Sequence, residues 1–63
     1  MIGSWARRVR LAPLRAVTSW HLVESQVADR LVMRCGREMK VRRDLPFEFA
    51  PDRPIVVCFF CDR

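Results

Sequence analysis

The clearest pattern in the chain is the alternation over Thr18-Ser19-Trp20-His21-Leu22-Val23, which puts Trp20 and Leu22 on one face and His21 and Val23 on the other. A period of two predicts a strand. The polar run Glu24-Ser25-Gln26 reads as a turn and Leu31-Val32-Met33-Arg34 as the return strand, giving a β-hairpin over residues 18–34. A helix from Ser25 to Met33, with Val27 and Leu31 one turn apart, competes for this stretch. Its shortness and the β-branched residues flanking it favour the hairpin. Glu38-Met39-Lys40-Val41 predicts a third strand, closed by the polar turn Arg42-Arg43-Asp44. Leu45, Phe47 and Phe49 then alternate with Pro46, Glu48 and Ala50, an extended segment with two phenyl rings on one side. Pro46, Pro51 and Pro54 confine it to an edge or a loop. After the turn Pro51-Asp52-Arg53-Pro54, a last strand Ile55-Val56-Val57 delivers Cys58.

The N-terminal stretch reads differently. Ser4 is placed to cap a short helix from Trp5, with Trp5, Val9 and Ala12 on one face and Arg7, Arg8 and Arg10 away from it. Pro13 ends such a helix, and so short a helix is marginal alone in water, so a frayed tail is the competing expectation. Residues 1–17 are thus expected to form a basic arm or short helix, and residues 18–63 a separate module. The arm resembles an organelle transit peptide in being acid-free and arginine-rich, but it is short and poor in serine.

Sixty-three residues make one small domain, and a core this size needs a staple. The cysteines supply one. Cys58 and Cys61 form a Cys-x-x-Cys pair that grips one ion from a single turn. The one other cysteine, Cys35, and the one histidine, His21, complete a Cys₃His set, the donors of a structural zinc site. Gly36 after Cys35 frees the backbone for a tight turn whose amides point at the thiolate. His21 is the least constrained of the four, with Asp62, Glu24 or a water as alternatives. Three cysteines do not close into a secreted disulfide framework, which points to a reducing, cytoplasmic setting. The longest apolar run, Ile55 to Cys61, is seven residues, too short for a membrane helix.

Other chemistries fit poorly. A thioredoxin-like pair opens a helix within a βαβ unit, and no helical stretch follows Cys61. An iron–sulfur cluster usually takes four cysteines. A catalytic zinc keeps an open position, whereas here the ligand set is full. The chain is therefore expected not to be an enzyme.

The net charge of +5 is unevenly placed: residues 1–20 carry Arg7, Arg8, Arg10 and Arg15 and no acid, while residues 21–63 hold eight basic and seven acidic side chains. Three thiolates and one Zn²⁺ change this by only one unit. Eleven of the twelve basic residues are arginine, the better fork for phosphate, though a GC-rich genome gives the same bias.

The pattern Trp20-His21-Leu22-Val23, Cys35-Gly36-Arg37 and Val57-Cys58-x-x-Cys61-x-Arg63 resembles short zinc-ribbon-like proteins of actinobacteria and their bacteriophages. The resemblance covers about residues 19–63 and implies zinc held by His21, Cys35, Cys58 and Cys61. This chain departs from it in a longer hairpin without a glycine at the turn. The expected fold is a small metal-stabilised β module: short antiparallel strands closed by one Cys₃His zinc site. Its expected role is to bind nucleic acid or nucleoprotein, or to regulate nucleic-acid machinery. The arm and Arg34, Arg37, Lys40, Arg42 and Arg43 are the candidate contacts, with Trp5, Phe47 or Phe49 as stacking residues. The alternative is a phage-type protein–protein interaction module or inhibitor that binds a host protein through exposed aromatics such as Phe59 and Phe60.

Overall fold

A computed structural model describes residues 2–62. Six strands follow one another: β1 Trp5–Arg10, β2 Arg15–Ala16, β3 His21–Val27, β4 Arg30–Met33, β5 Glu38–Lys40 and β6 Phe47–Ala50. Every strand pairing is antiparallel: β1 pairs with β2 and β3 along one edge and with β6 along the other, and β4 and β5 follow β3 in order. No helix among the described residues is long and apolar enough to cross a membrane.

The N-terminal stretch corrects the expectation of an arm or short helix. Residues 5–10 form a strand paired along both edges. On one side Trp5 to Arg8 register with Ala50 to Phe47 of β6. On the other, Trp5 and Ala6 face Leu22 and His21, and Val9 and Arg10 face Ala16 and Arg15. Trp5, Ala6, Arg8 and Val9 are all buried. An isolated six-residue helix would bury one stripe and satisfy few backbone groups. A strand between two partners satisfies both edges and buries both faces.

β2 and β3 are two lengths of one return strand, interrupted at residues 17–20. Arg8 spans the break, its carbonyl accepting from the amides of Val17 (2.7 Å) and Thr18 (3.4 Å) and its amide donating to Thr18 Oγ1 at 2.9 Å.

The hairpin over residues 18–34 is present, but its turn is not at 24–26. β3 runs on to Val27, and the loop is the two residues Ala28 and Asp29, with Val27 opposite Arg30. The pairing slips between Val23↔Met33 and Ser25↔Val32, so Glu24 is the extra residue of a β-bulge. A polar bulge and a polar turn look alike in composition. The competing helix over residues 25–33 is absent.

β5 forms where alternation placed it, and β6 is extended beside Pro46, whose carbonyl accepts from Val9 N at 2.9 Å. The expected strand at residues 55–57 does not form. Ile55 and Val56 are 94% and 73% exposed, and Val57 alone bridges to Trp20, in parallel. The core gathers Trp5, Ala6, Val23, Leu31, Met33, Met39 and Cys61, so β1 and the C-terminal cysteine share one apolar interior.

Candidate metal centre

Three separate segments bring four donors together. His21 opens β3 and is buried beside its cross-strand partner Ala6. Cys35 sits in the turn from β4 to β5. There Met33 N donates to Arg37 O and Gly36 N to Met33 O, both at 2.8 Å, and Gly36 takes φ +94°. Cys58 and Cys61 occupy a second turn, closed by the amides of Cys61 and Asp62 on the Cys58 carbonyl at 3.1 Å. Cys58 N donates to Trp20 O at 2.7 Å, which ties this turn to the residue before His21.

The donor atoms of His21, Cys35, Cys58 and Cys61 all lie within 4.8 Å of one another, and the three cysteines are free thiols. His21 Nδ1 stands 3.7 Å from Cys35 Sγ and 3.6 Å from Cys61 Sγ. Zinc–nitrogen bonds of about 2.0–2.1 Å and zinc–sulfur bonds of about 2.3 Å at tetrahedral angles give N···S edges of about 3.6 Å. These two edges match that length, and they involve Nδ1. Neither alternative fourth ligand takes part: Glu24 is exposed on the bulge, and Asp62 is engaged by Arg53 at 2.9 and 2.8 Å.

The electrostatics suit a buried cation. Burial, helped by the Arg37 charge, lowers the His21 pKa and keeps the imidazole neutral, the form that ligates. Burial pushes the Cys61 thiol up to about 11, although the amides of Leu22 and Cys35 pull the other way. For Cys58 burial alone raises the pKa, yet the amides of Cys61 and Phe60 and the thiols of Cys61 and Cys35 outweigh it and bring it below the ordinary value. A positive ion at the centre of the cluster would stabilise the thiolate forms of these cysteines.

The arginines divide. Arg8 is buried, and it is not placed to contact a partner. Its guanidinium donates from Nη1 to Leu45 O at 2.8 Å and from Nη2 to Lys40 O, and it lies 4.6 Å over the Phe47 ring. It ties β1 to the end of β5 and to the loop before β6. Arg7 pairs with Glu48 at 2.9 Å and stacks 4.5 Å over Trp20. Arg42 forks onto Asp44 at 3.0 and 2.6 Å. Arg10, Arg15, Arg34, Arg37 and Arg43 are exposed, and none forms an ion pair with an acid among the described residues. Arg10 and Arg15 face each other across β1 and β2, and Arg34 and Arg37 flank Cys35. Of the expected stacking residues, Trp5 is buried and Phe47 half-buried, while Phe49 is 37% exposed.

Sequence reasoning missed a groove of about 470 Å³ above the metal cluster. His21 and Cys58 form part of its lining, together with Val17 to Ser19, Arg37, Val57, Phe59 and Phe60. No motif marks residues 17–19. They reach the groove because the return strand breaks there. Neither a scan of protein-family models nor searches of curated proteins and of solved structures gives a match for this chain.

Proposed function

We propose that the cluster holds one structural zinc ion and that the module binds nucleic acid, or the machinery that works on it, as a small regulator. Zinc suits the donors: three thiolates and an imidazole in a tetrahedron with no position left for a reacting water. The site is therefore a staple, and the function lies on the surface it holds together.

One observation carries the nucleic-acid reading. Five of the seven acids are taken up in ion pairs, Glu48 with Arg7, Glu38 with Arg30, Asp29 with Lys40, Asp44 with Arg42 and Asp62 with Arg53. Among the described residues, Arg10, Arg15, Arg34, Arg37 and Arg43 are exposed cations with no such partner. Arg10 opposite Arg15 is mildly unfavourable by itself and becomes favourable against a phosphate.

The test is a salt titration of binding to duplex DNA and to single-stranded RNA by protein whose metal content is measured. One zinc per chain is expected, with log K falling against log salt by about 0.9 per phosphate contact on duplex. Arg10→Gln with Arg15→Gln should lower that slope by up to about two units at unchanged zinc content. No binding at low salt to either nucleic acid ends this reading.

A second reading has its own support. Ile55, Val56, Phe59 and Phe60 are 94%, 73%, 74% and 59% exposed within one short segment, the kind of patch that seats on a partner protein. A regulator or inhibitor acting this way would bind with little response to salt.

A further inference from the structure

The geometry points to the groove above the metal centre as a pocket for one unstacked nucleotide of a single strand, with the base on Phe59 and its phosphate on Arg37. This rests on the nucleic-acid reading above and names its site.

The groove has the size and chemistry for such a ligand. About 470 Å³ falls within the ordinary range of ligand pockets. Among the described residues no acid lines it, and Arg37 is the one lining side chain that carries a full charge. A ligand that fills it gains most by being anionic at one end and apolar at the other. Phe59 and Phe60 stand nearly perpendicular, at 84° with centroids 5.5 Å apart. Two perpendicular rings form a corner: a flat group stacked on one presents its edge to the other. That corner fits a planar base better than a branched aliphatic side chain. Phe59 is 74% exposed, so a ring face is open to stack on. Ser19 adds a hydroxyl able to donate or accept at a base edge.

A metal held by the cluster would fix the backbone that carries this corner. Phe59 and Phe60 lie between two ligand cysteines, and Arg37 follows Cys35 by two residues, so both walls hang from the same cluster. Backbone fixed in this way loses little further freedom when a ligand enters. A duplex cannot enter, because its bases are stacked and paired. The groove therefore separates single strands from duplexes, which the exposed arginines alone do not.

The test compares two ligands of equal charge, an octathymidylate and an abasic octamer, on the zinc-loaded full chain. Fluorescence anisotropy of the labelled strands reads the affinity. Stacking of one base predicts octathymidylate to bind at least about fivefold more tightly than the abasic strand. Phe59→Ala and Phe59→Leu should each remove most of that difference, at unchanged zinc content and unchanged abasic affinity. Leucine keeps the apolar bulk and loses the flat face, so it isolates stacking. Arg37→Gln should lower the salt slope by about 0.7. Equal binding of both strands by the wild-type chain overturns the pocket while leaving the electrostatic reading standing. Binding of neither strand overturns both. Tighter binding of an acidic, phenylalanine-containing peptide of the same charge assigns the groove to a protein partner and overturns the nucleotide.

Discussion

Arg8 shows how far a single side chain departs from what its charge suggests. Among the four arginines of an acid-free stretch, it is the one turned inward, with its fork on two carbonyls and its plane over Phe47. Arg8→Gln should therefore destabilise the fold, by about 1–3 kcal/mol, because the part-buried carbonyls of Leu45 and Lys40 lose a charged donor and the aliphatic stem loses its packing. Urea melts check this, with Arg43→Gln on the exposed loop expected to change the midpoint little. The grouping of the four candidate metal donors was legible in the sequence and the burial of Arg8 was not, for a physical reason. His21, Cys35, Cys58 and Cys61 are few, and chemistry restricts what they do together. An arginine's burial depends on which distant carbonyls come to meet it, here those of Lys40 and Leu45, more than thirty residues away.

At the scale of elements, turns carried less information than strands. β5 and β6 follow from alternation. The β3–β4 loop does not, because the Glu24 bulge resets the face on which each later side chain of β3 sits. The true loop, Ala28-Asp29, carries no glycine although Ala28 takes φ +53°. Gly36, by contrast, takes φ +94° and would meet nothing within 4 Å if given a Cβ. The two positions make a matched pair. Ala28→Gly should stabilise by up to about 1 kcal/mol, since relief of a left-handed alanine slightly exceeds the added freedom of glycine in the unfolded chain. Gly36→Ala should destabilise by about 1–2 kcal/mol through backbone strain alone, with no steric clash to relieve. Thermal melts of the zinc-loaded proteins separate the two signs. Like signs would mean that strain at these turns does not control their stability. The Ile55-Val56-Val57 run is the converse case: strong strand formers stay unpaired because the Cys58 turn anchors only its last residue, Val57 beside Trp20.

At the scale of the whole molecule, the sheet and the cluster depend on each other. The β1–β3 pairing places His21 opposite Ala6, and the buried Cys61 belongs to the same core as Trp5, Val23 and Met33. The C-terminal segment makes little sheet of its own, so donors and core contacts are what hold it to the rest. The Cα radius of gyration is 10.9 Å, close to the roughly 10.6 Å expected of a compact chain of this length. An unfolded chain of the same length has a radius of about 24 Å. A structural zinc site contributes on the order of 10–16 kcal/mol of apparent binding free energy at neutral pH, comparable to or greater than the whole stability of a small domain. Chelation under reducing conditions should therefore expand the entire molecule and not merely loosen residues 55–62. Small-angle scattering is expected to rise from about 11 Å toward about 24 Å as the metal is stripped, and to return when zinc is restored. A metal-free chain that stays near 11 Å would show that the apolar core suffices, and would reduce the four donors to a buried polar cluster. Partial expansion with β1, β3 and β4 still protected from hydrogen exchange would limit the ion's role to docking the C-terminal turn.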